Sequence, residues 1–266
     1  MSNRPIGIFD SGIGGLTVCR AIHDVMPQED IIYFGDTARF PYGTRSQETI
    51  IKYSKEIAAY LISKNVKMIV IACNTASAAA LDSLRSEYDI YIAGVIEAGA
   101  KAACSRHQGN SIGVIATRAT VNSKSYEKAI STINPNVNVI QQQATLFVSL
   151  AEEGMTETEI AKLTTREYLE KMYASGVKTL ILGCTHFPLL KKTISTVYPD
   201  MDLIDTGIEI AHDVKSILTK KNMLQNFENK VIGSFELYAS DITDSMQSLK
   251  DIFFGADSVK LSKLVI

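Results

Sequence analysis

The sequence has little to tie it to nucleic acid, a membrane or an oxidising compartment. Its net charge is −2 and no Lys/Arg-rich run is present, which argues against nucleic acid or anionic membranes as main partners. No apolar segment approaches the roughly 18 residues needed to span a bilayer. Met1-Ser2-Asn3-Arg4-Pro5 lacks the apolar region of a signal peptide, so no leader is expected. There are four cysteines, Cys19, Cys73, Cys104 and Cys184, far apart and without CxxC spacing. That fits a reducing cytoplasm better than a disulfide framework or a CxxC oxidoreductase. Gly12-Ile13-Gly14-Gly15 is not the dinucleotide fingerprint GxGxxG, and no GxxxxGK[ST] phosphate loop occurs. Low-complexity linkers are missing as well.

What is present is a chain of 266 residues, 46% apolar and 21% charged, enough for one large domain or two of ordinary size. One stretch stands out. In Ile69-Val70-Ile71-Ala72-Cys73-Asn74-Thr75-Ala76-Ser77, an apolar β-rich run stops at a cysteine and small polar residues open a helix. A thiol there lies beside the unpaired N–H groups of a helix N-terminus, a setting that lowers its pKa and binds anions. The layout returns 111 residues later in Thr179-Leu180-Ile181-Leu182-Gly183-Cys184-Thr185-His186-Phe187-Pro188, again read with a helix behind it. A single such cysteine reads most simply as a buried small hydrophobe. The matched pair points to two half-sites facing one another. Cys19 and Cys104, placed in helices, read as structural.

Around these stretches the pattern alternates. Ile6–Asp10 is a strand, followed by a glycine-rich turn and a helix to about Met26. Ile31–Gly35 and Tyr91–Val95 are further strands. Thr44-x-x-Gln47 and Thr156-x-x-Glu159 have the form of capping boxes. A comparable series restarts at Ile112–Ala116, with a helix to about Thr132. It continues through Val137–Ile140, an irregular piece at Leu146–Gly154, the Cys184 strand and Asp202–Ile204. Asp10 precedes Cys73 by 63 residues and Thr117 precedes Cys184 by 67, the mark of a weak internal repeat. Later come a strand near Ser234–Tyr238 and a helix near Asp244–Phe254. The fold class is α/β: two similar domains with mainly parallel sheets and the active site in the cleft between them. The first domain is expected at 1–95 plus 210–266, with the C-terminal segment folding back, and the second at 96–209.

Ligands of parallel sheets bind at strand ends. That rule selects Asp10-Ser11, Pro41-Tyr42-Gly43, Cys73-Asn74-Thr75, Thr117 and Cys184-Thr185-His186. The set is rich in hydroxyl, amide and backbone donors and suits carboxylates held by hydrogen bonds. Asp10 orients or protonates a neighbour, pairs with an ammonium, or merely caps a helix. His186 holds the Cys184 thiol as thiolate or shuttles its proton. Glu152-Glu153 sends one carboxylate inward or lies in solvent. Cys73, Cys184 and His186 are too few for a structural zinc site, which takes four ligands.

These blocks closely resemble the signatures of bacterial glutamate racemase. The resemblance rests on Asp10-Ser11-Gly12-Ile13-Gly14-Gly15, Pro41-Tyr42-Gly43, Ala72-Cys73-Asn74-Thr75-Ala76 and Gly183-Cys184-Thr185-His186-Phe187-Pro188. Leu146-Phe147-Val148 with Glu152-Glu153-Gly154 is similar to another family block, with Ser149 where proline is frequent. The matches run from residue 6 to about residue 207. The resemblance implies a homodimeric cytoplasmic enzyme, needing neither cofactor nor metal, that interconverts L- and D-glutamate and supplies D-glutamate for peptidoglycan. It implies Cys73 and Cys184 as acid and base on opposite faces of the substrate Cα. Cys73 would take the proton of D-glutamate and Cys184 that of L-glutamate, assisted by Asp10 and His186 respectively, with Glu152 behind. Asp10, Ser11, Tyr42, Gly43, Asn74, Thr75, Thr117, Thr185 and His186 would hold the carboxylates and ammonium. A racemase of aspartate, a Cys184–His186 thiol hydrolase and a two-lobed binding protein are the alternatives.

Overall fold

A computed structural model describes residues 3–108, 111–225, 232–255 and 259–266. The chain begins β1 (Ile6–Asp10), α1 (Leu16–Val25), β2 (Ile31–Gly35), α2 (Gln47–Ser63), β3 (Met68–Ile71), α3 (Asn74–Glu87) and β4 (Tyr91–Gly94). Helix α4 (Val95–Arg106) leads into a second series: β5 (Ser111–Ala116), α5 (Arg118–Ser123), α6 (Ser125–Ile133), β6 (Asn138–Gln143) and α7 (Leu146–Glu152). That series continues with α8 (Glu159–Ala174), β7 (Thr179–Gly183), α9 (Lys191–Val197) and β8 (Asp202–Asp205). Helix α10 (Thr206–Lys220) then precedes β9 (Phe235–Ala239), α11 (Asp244–Phe254) and β10 (Leu261–Lys263).

The strands form two sheets, ordered β10-β9-β2-β1-β3-β4 and β6-β5-β7-β8. Every pairing is parallel. Parallel strands covered on both faces need apolar side chains throughout, and every residue of β1, β2 and β7 is buried. Fully burying a Val, Leu or Ile side chain stabilises by about 1.5–3 kcal/mol. Exposed ion pairs such as Lys55–Glu87 and Lys192–Glu157 are screened by solvent and contribute little. The sheets and their covering helices therefore hold the fold. Helix α4 serves both cores: Val95 and Ala98 pack with the first sheet, Ile96, Ala100 and Ala103 with the second.

Both sheets grow in the same sense. The first strand of each series lies between the second and the third, which opens a crevice at the carboxyl ends of β1/β3 and of β5/β7. Asp10 ends β1 and Cys73 follows β3, while Thr117 follows β5 and Cys184 follows β7. The repeat inferred from spacing is thus a repeat of topology.

Several local expectations are corrected. Helix α2 is capped by Ser46, whose Oγ accepts from the Thr49 N–H at 3.3 Å, not by Thr44, which ends a one-turn 3-10 segment. Helix α8 is capped by Thr158, not Thr156. The piece at 146–154 is mostly helical, as α7, and stops before Gly154 at φ 67°. The helix expected up to Thr132 is broken in two at Lys124, whose φ is 56°. Strand β10 carries no alternation long enough to be read from sequence. Among the described residues no helix is long and apolar enough to cross a membrane.

Candidate active site

The two crevices face each other across one cavity of about 210 Å³. Both Cys73 and Cys184 line it, with Ser11, Tyr42, Gly43, Asn74, Thr75, Thr117, Glu152 and Thr185. Asp10 and His186 lie just behind this wall, fully buried or nearly so.

Cys73 is the N-cap of the long helix α3, and its Sγ accepts from the Ala76 N–H at 3.4 Å. Its own S–H donates to Ser11 Oγ at 3.4 Å. Asp10 does not bond the thiol directly. Its Oδ2 accepts from the backbone N–H of Gly12 and Gly15, while its buried Oδ1 has no hydrogen-bond partner among the described residues. Burial raises the Asp10 carboxyl pKa, against the pull of the His186 charge and the backbone donors. The lowered thiol pKa read from the sequence is reversed here. Burial, and then the negative charge of Asp10, push Cys73 up to about 12, outweighing the hydrogen bonds of Ser11 and Ala76.

Cys184 has different surroundings. No α-helix starts behind it; a 3-10 segment, Phe187–Leu190, intervenes before α9. Its partner is the His186 ring, with Nδ1 3.8 Å from Sγ. The far nitrogen, Nε2, is 3.1 Å from Glu152 Oε1. Burial alone would depress the imidazole pKa. The hydrogen bonds to Cys184 and Glu152, with the charges of Cys184 and Asp10, reverse that and raise it to about 10. Each ring nitrogen of His186 thus faces an acceptor, Cys184 Sγ on one side and Glu152 Oε1 on the other, which favours the charged form of the ring. Of the two adjacent carboxylates it is Glu152 that faces inward, because Glu153 lies beyond the last turn of α7 and is exposed.

The donors of the two halves meet. The hydroxyl groups of Thr75, Thr117 and Thr120 form a triangle with edges of 2.9, 3.0 and 3.3 Å across the two sheets. Asn74 Oδ1 accepts from Tyr126 O–H at 2.5 Å, which leaves the buried Asn74 Nδ2 without a protein acceptor. The Pro41-Tyr42-Gly43 segment is pinned by Asp36, which accepts from Tyr42 O–H, from Arg39 Nε at 2.6 Å and from Ser240 Oγ at 3.0 Å. Gly43 is bare where it meets Thr117, since a Cβ there would lie 3.1 Å from Thr117 Cβ.

Sequence reading misses Phe40, Arg118, Thr145, Val148 and Ser149 as lining residues. Phe40 leans on the His186 ring, centroids 6.0 Å apart. Among the described residues lining the cavity, Arg118 is the only cationic one; its place at the start of α5, directly after Thr117, is the available signal. Among the described residues no group of three His, Cys, Asp or Glu side chains is placed to hold a metal ion.

Comparison with known proteins gives the family. The profile of the Asp/Glu/Hydantoin racemase family matches residues 14–213, and the chain belongs to that family of isomerases. Within it the similarity runs to glutamate racemases. That of Geobacter metallireducens is 46% identical over 253 residues, covering 95% of this chain and 93% of the relative. The crystal structure of glutamate racemase from Francisella tularensis subsp. tularensis in complex with D-glutamate superposes with a TM-score of 0.91 at 39% identity, covering 100% of this chain and 98% of the other. Escherichia coli glutamate racemase, in complex with L-glutamate and activator UDP-MurNAc-ala, gives 0.78 at 26% identity, covering 98% of both chains.

Proposed function

We propose that the chain interconverts L- and D-glutamate by proton transfer between two cysteines, with no cofactor. One observation carries the reading: two buried thiols, each at the end of the corresponding strand of its own sheet, line a single cavity. Inverting a stereocentre by proton transfer needs a base on one face and an acid on the other. The two halves differ in the sense this requires. Cys73 keeps its proton, and His186 supplies a counter-charge when Cys184 is ionised. In that state Cys184 removes the Cα proton of L-glutamate and Cys73 delivers one to the opposite face. The reverse run starts with the proton on Cys184.

The carbanion that develops on Cα is stabilised by preorganised donors in a site shielded from water. The unpaired Asn74 Nδ2 and the Thr75, Thr117 and Thr185 groups suit the two carboxylates. Ser11, Tyr42 and Gly43 complete the enclosure, and the free Oδ1 of Asp10 assists Cys73. Family membership supports the role that goes with this activity, supply of D-glutamate for peptidoglycan by a homodimer in the cytoplasm. The test is exchange of the glutamate Cα proton in deuterated water, followed by NMR for each enantiomer, with aspartate as comparator. Exchange and racemisation of glutamate in the presence of chelator, by protein without cofactor absorbance, are expected. Absence of exchange with either enantiomer overturns the reading.

A further inference from the structure

The turn after β1 does more than present Asp10: it is pressed against the opposite half-site. A Cβ on Gly14 would lie 2.3 Å from Thr185 Oγ1 and 2.8 Å from His186 Cε1 and Nδ1, closer than atoms of side chain and ring can come. Only glycine permits this contact, and the ring nitrogen it touches is the one that faces Cys184. Three residues on, in the first turn of α1, the Thr17 hydroxyl lies 2.8 Å from the Gly14 carbonyl and 3.2 Å from the Thr185 carbonyl. One hydroxyl proton is thus shared between an acceptor in its own turn and one in the second domain. Thr17 does not line the cavity, whereas Thr185, whose carbonyl it holds, and Cys184, the residue before it, both do.

We infer that Thr17 is a positioning residue for the Cys184 half-site. Its hydroxyl fixes the Thr185 carbonyl, and with it the turn bearing Cys184 and His186, against the turn that bears Asp10. The inference rests on the two-cysteine reading above. Thr17 is half-buried, but Thr185 and His186 are only 5% and 2% exposed, so removing the donor leaves a nearly buried carbonyl short of a partner, at a cost. Without that bond the Thr185 carbonyl turns toward another donor and carries the sulfur with it. A displacement of about 1 Å in a reacting group lowers rates by up to roughly 100-fold.

The experiment compares Thr17→Val, which keeps the shape and removes the donor, with Thr17→Ser, which keeps the donor. Mirror-image substrates have equal free energies, so kcat/KM must fall equally in both directions and cannot report which side is disturbed. The primary isotope effect on kcat/KM can. Proton removal by Cys184 becomes more rate-limiting, so the effect with L-[2-2H]glutamate rises while that with D-[2-2H]glutamate falls. Thr17→Val is expected to lose about 10-fold in kcat with KM little changed, show this asymmetry, and melt as a folded protein; Thr17→Ser is expected to stay within about 2-fold of the parent. An equal loss in both variants, no loss in either, or a loss without isotope asymmetry overturns the inference. Should Thr17→Val fail to fold, the same asymmetry read from Thr17→Ala decides it. Cys184→Ala run alongside separates the two ideas: if that protein still racemises normally, the two-cysteine reading itself is wrong.

Discussion

The two half-sites are built on the same strand order yet surround their thiols in opposite ways. Cys73 sits where general rules favour ionisation, on the N-terminus of a 14-residue helix, and is held protonated by burial and by Asp10. Cys184 has no α-helix end of its own and is instead 3.8 Å from the buried His186 ring, which Glu152 braces on its far side. A macrodipole acts through partial charges of about half an electron. A full charge in a site removed from water acts more strongly. At Cys73, burial and then the charge of Asp10 outweigh the helix end behind the thiol. The topology repeats from one half to the other, and the groups beside each thiol do not.

The largest effect that would break this comparison comes from Cys73→Ala and Cys184→Ala. Each should lower racemisation by roughly 100-fold or more in both directions, the scale of general acid–base catalysis. Residual deuterium exchange should be selective: D-glutamate labelled when Cys73 survives, L-glutamate when Cys184 survives. Circular dichroism follows racemisation and NMR follows exchange. Full racemisation by the Cys73→Ala protein contradicts the two-face scheme.

A smaller effect sharpens it through pH. The His186 pKa in the folded protein, about 10, lies above its ordinary 6.5. The stability that goes with its charge is therefore complete below pH 6.5 and is lost as pH rises toward 10. Thermal melts between pH 6 and 10 should show the parent protein losing more stability than His186→Asn over that window. The alkaline limb of kcat for L-glutamate should shift in the variant as well. Identical pH dependence in the two proteins would show that His186 does not carry the charge assigned to it.

The smallest effect is expected where a thiol has no part in the comparison. Cys19 is buried in the first core and Cys104 half-buried on α4. Changing either to alanine should cost about 1 kcal/mol, less at Cys104, with turnover retained. Urea titration and initial rates check this, and a folded Cys19→Ala protein without activity would count against it.

How much of this was legible in the sequence depends on how local the cause is. Strand ends such as Asp10 and Cys73 show themselves because parallel strands are unbroken apolar runs that stop at the first polar residue. The short helix α7 does not, because it is fixed by packing: Phe147 sits edge-on to Phe187 at 5.5 Å. Thr156 and Thr158 are both hydroxylic candidates for one cap, and alternative caps differ by about 1 kcal/mol or less. Thr17 is invisible for another reason, since its acceptor is 168 positions away. The state of the Cys73 thiol is not legible because its burial, and then the charge of Asp10, 63 residues earlier, enter only once the sheet and the second half-site are assembled.

The edge of β2 has one further consequence. Ile31-Ile32-Tyr33-Phe34-Gly35 pairs on its outer side with β9, which in turn receives β10. During synthesis the ribosome must therefore finish nearly the whole protein before that apolar edge gains its neighbour, even though β1, β3 and β4 emerged long before. Until then the nascent chain carries an open edge able to recruit strands from other chains. Premature termination between Cys184 and Phe235 leaves a polypeptide that contains both site cysteines and is nonetheless prone to aggregate.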